Sequence, residues 1–218
     1  MSNVIVWFHN DLRLGDNPAL VKAIESGNKV IPIYIWDEKD SDLHTGSAGK
    51  WWLHQSLDRL SNRIEELGNK LVLRKGDPKS ILQEFISQNK VSKIFMNRRF
   101  EPQIIERDEG ILSQIDHEIT NGNLLFDPED IRTKQDKQYT VFTPFWKNCK
   151  MQTEPHEPLA IPSEIPAPDK FPESLSLDEM ELLPKIKWYE TFEKKWRPGE
   201  EEANRILVHF LKSEAVSY

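Results

Sequence analysis

Residues Val4–Leu20, with the sequence VIVWFHNDLRLGDNPAL, determine the fold that we predict for this chain. The stretch begins with an apolar run of β-branched and aromatic residues, which is typical of a strand buried on both faces of a sheet. A charged loop follows, and Asn17 and Pro18 predict a helix start, because an asparagine cap often precedes a proline at the first helical position. We therefore predict the first βα unit of an α/β sheet. Arg13 and Asp16 then lie at the carboxyl end of its strand, where such sheets bind ligands.

The composition limits the classes of protein to which the chain can belong. Its 218 residues, 38% hydrophobic and 30% charged, are enough for one globular core and an appendage. A net charge of −7 argues against strong nucleic-acid binding by this chain alone, because phosphate contacts need a basic surface. The single cysteine, Cys149, excludes a disulfide framework and fits a reducing compartment. With neither a leader nor a long apolar run in the sequence, we expect a cytoplasmic protein without membrane contact.

Strand and helix patterns alternate along the first 130 residues. Further strands are predicted at 29–37, 70–75, 93–97 and 124–126, and helices at 47–67, 77–88 and 102–117. Strands that alternate with helices of this length form parallel sheets with helices on both faces. The predicted fold is therefore α/β, a Rossmann-like, doubly wound, five-stranded parallel sheet over residues 1–130.

The pattern changes after residue 130. Residues 131–152 are rich in aromatic side chains and predict an extension that packs on the sheet domain, helical from Pro144 onward. Residues 153–196 hold much of the proline and show no helical or strand period, so we predict a linker wrapped over a surface. Residues 197–218 begin a new unit with an amphipathic helix over Pro198–Leu211. The chain contains no obvious surface to cover its apolar residues, which are Ile206, Leu207, Phe210 and Leu211.

Local fingerprints of common nucleotide enzymes are missing from the sequence. Neither a glycine-rich dinucleotide loop nor a P-loop follows the first strand, so no phosphate cradle is predicted there. Of the histidines, His117 and His209 fall in predicted helices and are interpreted as surface or packing residues. His9 and His44 lie near predicted strand ends and are better candidates for function.

The predicted topology brings a set of polar and aromatic residues to one edge of the sheet. They come from the ends of strands one, two and four and from the start of the second helix, and are Arg13, Trp36, Asp37, Asn97, Arg98, Arg99, Phe100, Glu101, Lys50, Trp51 and Trp52. Aromatic walls with a few fixed charges suit a planar polar heterocycle. Glu101 precedes a proline at a helix start, and its carboxylate either accepts N–H groups of such a ligand or caps its own helix.

Four motifs in collinear order resemble the N-terminal α/β domain of the DNA photolyase and cryptochrome family. They are FHNDLRLGDNPAL at residues 8–20, GKWWLHQSL at 49–57, NRRFEP at 97–102 with Arg107 and Asp108 downstream, and YTVFTPFWK at 139–147. The form is most similar to the microbial class I cyclobutane pyrimidine dimer photolyases. The resemblance covers essentially the whole chain, including the proline-rich stretch, which matches the interdomain loop of the family.

The resemblance implies a function divided between two domains. In that family the N-terminal domain holds an antenna pigment, most often methenyltetrahydrofolate and sometimes a deazaflavin or flavin. The helical C-terminal domain binds FAD and UV-damaged DNA, and the excited, reduced flavin donates the electron that splits the dimer. The chain ends before the segment that grips the FAD phosphates. We therefore expect a light-harvesting fragment of a deoxyribodipyrimidine photo-lyase that does not retain FAD, lacks repair activity and pairs with a missing helical domain.

The resemblance also assigns roles to individual residues. Glu101 matches the antenna-binding glutamate, Asn97 stands at an equivalent strand end, and His44 lies close to a histidine that contacts the folate. The groove-lining positions of the family match Trp36, Asp37, Lys50 and Trp51, and Tyr218 matches the first FAD contact. A lysine that the helical domain supplies in folate-type enzymes is absent, so antenna binding by this chain alone is expected to be weak.

Other interpretations remain open beside this one. The chain is alternatively a cryptochrome-like photoreceptor domain or a free-standing nucleotide-binding module with the same type of sheet. Arg13 and Asp16 are expected to form an ion pair that fixes the first loop. The aromatic residues Phe142, Phe145 and Trp146 are expected to pack between domains. An exposed apolar surface on the helix at Pro198–Leu211 predicts self-association.

Overall fold

A computed structural model describes residues 2–38, 45–151 and 156–213 of the chain. None of the helices in these ranges is long and apolar enough to cross a membrane. The elements, in chain order, are β1 Asn3–Phe8, α1 Pro18–Glu25, β2 Lys29–Trp36, α2 Ser47–Glu66, β3 Val72–Lys75, α3 Pro78–Asn89, β4 Val91–Asn97, α4 Pro102–Leu112, β5 His117–Thr120, α5 Phe142–Cys149, α6 Glu190–Glu193 and α7 Glu200–Ser213.

The five strands form one parallel sheet in the order β3-β2-β1-β4-β5, which confirms the predicted fold class. The strand β1 lies at the centre and pairs with β2 on one side and with β4 on the other. The chain therefore reverses its direction of winding between β1 and β4. Crevices in sheets of this kind form beside such a reversal, at the carboxyl ends of the strands.

Each face of the sheet is covered by its own pair of helices. Alternate residues of β1, including Val4 and Val6, join a core cluster with apolar residues of α1 and α2. The intervening residues, Ile5 and Trp7, join a second cluster with residues of α3 and α4. The strand is thus buried on both sides, as its continuous apolar sequence predicts, and each large side chain buried there contributes about 1.5–3 kcal/mol.

The helix starts follow the signals in the sequence. The side chain of Asn17 accepts a hydrogen bond from the Leu20 amide before Pro18 begins α1. The side chain of Asp77 accepts one from the Ser80 amide in the same way, before Pro78 begins α3. A side-chain oxygen at the cap satisfies one of the amides that the first turn leaves without a helical partner.

The predicted end of the fourth helix and the predicted position of the fifth strand are both wrong. The helix α4 ends at Leu112 rather than at His117, and His117 begins the strand β5. The fifth strand is therefore 117–120, not 124–126, where Leu124 and Leu125 are exposed. A four-residue edge strand with the sequence HEIT offers only one large apolar side chain, so hydrophobic patterning points instead to the more apolar segment that follows.

The proline-rich segment runs along the outer side of the sheet. Near the edge strand β3, the Leu175 amide donates to the Leu73 carbonyl, and the Leu73 amide donates to the Ser174 hydroxyl. Ile165 is buried in the core cluster on the α1 and α2 face. Met180 and Leu182 are buried there as well. This segment therefore contributes to the core although it contains almost no regular structure.

The helices α5 and α7 expose most of their large apolar residues. The helix α5 begins at Phe142, two residues before the predicted start at Pro144, and stacks the exposed rings of Phe142 and Trp146. The helix α7 begins at Glu200 rather than at Pro198 and has no buried residue within its described length. Its apolar side chains are between 42% and 54% exposed, and they are Ile206, Leu207, Val208, Phe210 and Leu211.

A buried amide network fixes the loop of residues 9–17, which we call the β1–α1 loop, to the end of β4. The Asn97 side-chain amide donates to Asp11 Oδ2 at 2.6 Å and to Asn17 Oδ1 at 2.9 Å. Its carbonyl oxygen accepts from the Thr120 hydroxyl at 2.7 Å and from the Ala19 amide at 3.3 Å. The network therefore joins the end of β4 to β5 and to both ends of the β1–α1 loop.

We predict that Asn97→Ala lowers the free energy of unfolding by about 2–3 kcal/mol, because several buried polar groups lose their partner. Urea denaturation of both proteins measures this difference. The matched control is Asn123→Ala, since exposed Asn123 donates one hydrogen bond to the Arg98 carbonyl. Its expected cost is below about 0.5 kcal/mol. Equal costs for the two variants would contradict the structural role that we assign to Asn97.

Candidate functional site

A large cleft opens at the carboxyl end of the sheet, beside the reversal between β1 and β4. Its volume is about 960 Å³. The β1–α1 loop, the end of β2, α2, the segment after β4 and the start of α7 form its walls. The lining residues are Asn10, Asp11, Leu12, Arg13, Tyr34, Trp36, Asp37, Glu38, Thr45, Gly49, Trp52, Leu53, Ser56, Arg99, Glu101, Gln103, Ile104, Gly199, Glu200 and Ala203.

Aromatic side chains supply the apolar part of the cleft. Tyr34 and Trp36 come from β2, where they are largely buried, and Trp52 projects from the first turns of α2 with 45% of its surface exposed. The Lys50 ammonium lies 5.7 Å from the centroid of the Trp36 ring and 3.7 Å from Glu38 Oε1. Flat rings with a nearby cation can hold a conjugated heterocycle by stacking and by charge.

Glu101 presents the most accessible carboxylate among the predicted site residues. It occupies the cap position of α4, but its side chain makes no hydrogen bond to the helix amides. Oε2 accepts instead from the Phe100 amide at 3.1 Å, and Oε1 lies 3.6 Å from the Arg99 guanidinium. The side chain is 57% exposed, so its carboxylate can still accept N–H groups of a ligand.

A layer of charged groups lies beneath Glu101. The Arg107 guanidinium donates to Asp108 Oδ1, lies 3.9 Å from Asp37 Oδ2 and stacks 5.8 Å from the centroid of the Trp7 ring. Asp108 is 4% exposed and Arg99 is 8% exposed. Buried charges that are paired in this way contribute a fixed arrangement of positive and negative groups beside the cleft.

His9 lies against this layer, with its ring 4.3 Å from that of Trp7. Burial and the charges of Arg99 and Arg107 hold the pKa of His9 well below its ordinary value. The Trp7 carbonyl favours the charged ring, but this effect is smaller than the others. Neither ring nitrogen has a hydrogen-bond partner of normal geometry among the described residues. His9 is therefore neutral at physiological pH.

The structure places several predicted site residues away from the cleft. Asn97 is buried in the amide network, and Trp51 is buried against Phe192, with 5.6 Å between the ring centroids. Arg98 points toward Asp127 and Glu129, with its guanidinium 3.1 Å from the Glu129 carboxylate. His44 and Tyr218 lie outside the described residues. The cleft lining brings together three of the predicted residues, Trp36, Asp37 and Glu101. The Lys50 ammonium lies beside this group, over the ring of Trp36.

Arg13 and Asp16 fix the β1–α1 loop by a different arrangement from the predicted ion pair. Arg13 donates to the carbonyl oxygens of Asp16 and Gly122. The Asp16 carboxylate accepts from the Leu159 amide at 3.2 Å, and the Asp16 amide donates to the Leu159 carbonyl at 2.8 Å. The two side chains therefore connect the loop to other segments rather than to each other.

Sequence reasoning missed several cleft residues. Asp11 follows the first predicted strand, and Tyr34 lies within the second, where it has the same side-chain direction as Trp36. The alternation of side chains along a strand could therefore have identified Tyr34. Glu200 lies 186 residues from Leu14, whose amide it contacts, and no local pattern reveals that contact. Among the described residues, no group of histidine, cysteine and acidic side chains is arranged to hold a metal ion.

Comparisons with known proteins agree on one family. The sequence profile described as DNA photolyase matches residues 4–168. A deoxyribodipyrimidine photo-lyase from Agrobacterium fabrum (strain C58) is 39% identical over 221 residues, covering 99% of this chain and 46% of that protein. Cryptochrome-2 from Arabidopsis thaliana is 29% identical over 226 residues, covering 98% of this chain and 37% of that protein.

A solved structure is similar over nearly the whole chain. The crystal structure of a bacterial class III photolyase from Agrobacterium tumefaciens is 37% identical, with a TM-score of 0.89. The match covers 97% of this chain and 45% of that one. The chain thus spans less than half the length of each of these relatives.

We predict that His9 makes the fold less stable below pH 6.5, close to the ordinary pKa of histidine. The unfolded chain binds a proton there that native His9 does not, so the free energy of unfolding falls by up to about 1.4 kcal/mol per pH unit. Urea titrations between about pH 7 and pH 5 measure the slope of the unfolding free energy against pH. We expect His9→Phe to reduce this slope, because phenylalanine binds no proton in either state.

His54 provides the matched control for this prediction. Burial also lowers the pKa of His54, but the charges of Asp58 and Asp178 oppose the shift. His54→Gln should therefore change the slope less than His9→Phe does. An unchanged slope in His9→Phe would show that native His9 is protonated over this range.

Proposed function

Because the chain belongs to the DNA photolyase family, we propose that its cleft binds a light-harvesting antenna pigment that serves a DNA photolyase. Members of the family bind an antenna chromophore and FAD. The single observation that carries the proposal is the cleft at the carboxyl end of the sheet. There the Glu101 carboxylate faces an aromatic wall that includes Trp36 and Trp52.

The chemistry of the cleft fits a folate or a flavin-like ring. We assign stacking to Trp36 and Trp52, hydrogen bonding of ring N–H groups to Glu101, and attraction of anionic groups to Lys50. Asp37 stays paired with Arg107 and shapes the floor. A bound pigment would supply an excited state, whereas the protein residues hold it in place and exclude water.

Among the possible pigments we propose methenyltetrahydrofolate, with a deazaflavin or a flavin as the alternatives. Glu101 supports the folate, since an exposed carboxylate beside Arg99 can accept two N–H groups from one edge of a pterin. We still predict that His44 contacts the antenna pigment and that Tyr218 contacts FAD. Asn97 and Trp51 act as supports beneath the walls in this proposal, because both are buried outside the cleft.

We propose that repair belongs to the longer relatives rather than to these 218 residues alone. The reaction in that proposal is light-driven electron transfer from reduced FAD to a cyclobutane pyrimidine dimer in UV-damaged DNA. A helical domain would supply the binding site for FAD and the binding site for damaged DNA. We expect the 218-residue chain to retain no FAD without that domain. The negative charge of −7 supports this division, since the chain has no excess of basic residues for DNA. The buried Cys149 is consistent with a cytoplasmic site of action.

We propose that this chain belongs to a class III photolyase rather than to the class I form that the motifs favoured. The similarity to the bacterial class III photolyase, at a TM-score of 0.89, supports this assignment. A cryptochrome-like photoreceptor is the second candidate, favoured by the 29% identity to a plant cryptochrome. A repair assay of the longer protein on dimer-containing DNA would separate the two, because only a photolyase restores the pyrimidines.

We predict that Glu101→Gln weakens binding of methenyltetrahydrofolate at least about fivefold, through loss of a charged acceptor. Absorbance titration of the 218-residue chain measures the dissociation constant. The matched control is Glu106→Gln, because Glu106 is an exposed glutamate of α4 outside the cleft. Equal affinities for both variants would remove Glu101 from the site, and stabilisation of the chain by ATP alone would favour a free-standing nucleotide-binding module.

We also propose a role for the exposed apolar face of α7. In the longer protein this face would pack against the helical domain, and in the isolated chain it would drive self-association.

We predict that Leu207→Glu reduces the dimer fraction at high protein concentration, because a charge replaces an apolar residue that is 52% exposed. Sedimentation velocity measures the change. A matched control is Lys212→Glu, on the same helix without loss of apolar surface. A monomeric unaltered chain at all concentrations would contradict self-association.

A further inference from the structure

The start of α7 is attached to the β1–α1 loop by one carboxylate. Glu200 Oε2 accepts from the Leu14 amide and Oε1 accepts from the Gly15 amide, both at 2.8 Å. Two consecutive backbone amides that point to one carboxylate form a compact anion receptor. Hydrogen bonds to a charged acceptor are stronger than those between neutral groups.

Two glycines allow α7 to approach this closely. A Cβ atom at Gly15 would lie 2.6 Å from Glu200 Oε1, so a larger residue there would displace the carboxylate from its present position. On the other side, a Cβ atom at Gly199 would lie 2.5 Å from Arg59 Cδ of α2. Gly199 also has a φ of +117°, which other residues rarely adopt. At both positions the absence of a side chain therefore allows the close packing seen at the start of α7.

The same contact lies at the edge of the cleft. Gly199, Glu200 and Ala203 line the cleft, and so do Asp11 and Arg13 of the β1–α1 loop. Through its bonds to Leu14 and Gly15, Glu200 joins these two parts of the lining. Loss of those hydrogen bonds would therefore allow the start of α7 to move relative to the loop.

We propose that Glu200 is a positioning residue of the cleft, which latches α7 to the amides of Leu14 and Gly15 and thereby fixes the space available to the antenna. The latch is formed within the chain and does not depend on a ligand. Only its effect on antenna binding rests on the proposed function. In this role Glu200 acts through the loop backbone and does not contact the pigment.

Amide hydrogen exchange of the 218-residue chain tests the latch directly. In Glu200→Ala we expect exchange of the Leu14 and Gly15 amides to accelerate at least about tenfold, as for the loss of a charge-assisted hydrogen bond. Glu200→Gln should give an intermediate result, because its carboxamide keeps one acceptor oxygen. Unchanged exchange in Glu200→Ala would overturn the proposal.

Glu201 provides the matched control. It lies in the same first turn of α7, but its carboxylate is 68% exposed and pairs with Arg63 of α2 at 3.3 Å instead of with the amides of Leu14 and Gly15. Glu201→Gln removes the same charge from the helix start and should leave exchange of the two amides within about twofold of the unaltered chain, since exposed ion pairs contribute little. Equal acceleration in both variants would assign the effect to helix charge instead of the latch.

Gly15→Ala separates positioning from direct contact, because it displaces the Glu200 carboxylate and leaves the residue itself in place. With methenyltetrahydrofolate as the probe, we expect Gly15→Ala and Glu200→Ala to raise the dissociation constant by similar factors, at least about threefold. Weakening in Glu200→Ala alone would make Glu200 a ligand contact and overturn its positioning role. If the unaltered chain binds no folate, the proposed antenna fails, whereas the exchange data still decide whether the latch exists.

Discussion

The buried side chain of Asn97 is the constraint on which the arrangement of the cleft depends. A carboxamide has two donor hydrogens and one acceptor oxygen, and here they bind Asp11, Asn17 and Thr120 in one layer. Asp11 and Asn17 lie near the two ends of the β1–α1 loop and Thr120 ends β5, so the end of β4, this loop and the end of β5 share a single fixed geometry. Gly122 passes so close that a Cβ atom there would lie 2.5 Å from the Asn97 side chain. Because buried polar groups need all their partners, this layer tolerates little displacement.

The sequence was sufficient for the elements whose patterns are local. The apolar runs of β1, β2 and β4 predicted buried parallel strands, and the order of those strands brought Trp36, Asp37 and Glu101 to one edge. The strand β5 was misplaced, because its pairing with β4 is set by position at the sheet edge and not by hydrophobicity. In α2, Trp51 and Trp52 are neighbours in sequence but diverge by about 100° around the helix, so their separate environments depend on tertiary packing.

The parts of the site that could not be predicted are those made by distant segments. Glu200 reaches the β1–α1 loop across most of the chain, and Asn97 turns inward, away from the cleft, because its partners lie in the loop and in β5. The neutral state of His9 likewise follows from burial and from the charges of Arg99 and Arg107, which come from a different part of the sequence. A polar residue at the end of a predicted strand indicates that a binding site lies nearby. Its hydrogen-bond partners, which come from distant segments, decide whether its side chain faces the ligand or the interior.

The hydrogen bonds between the proline-rich segment and β3 also determine where this protein can be divided. An edge strand has a row of unpaired amides and carbonyls, which makes it a template for pairing with another chain. Leu73 uses two of these groups for Ser174 and Leu175, and Ile165 fills part of the core beneath. A shortened chain that stopped near residue 130 would therefore keep all five strands but expose an aggregation-prone edge. Because Met180 and Leu182 are buried in the same core, we expect a shortened chain to keep the described packing only if it extends at least to Leu182.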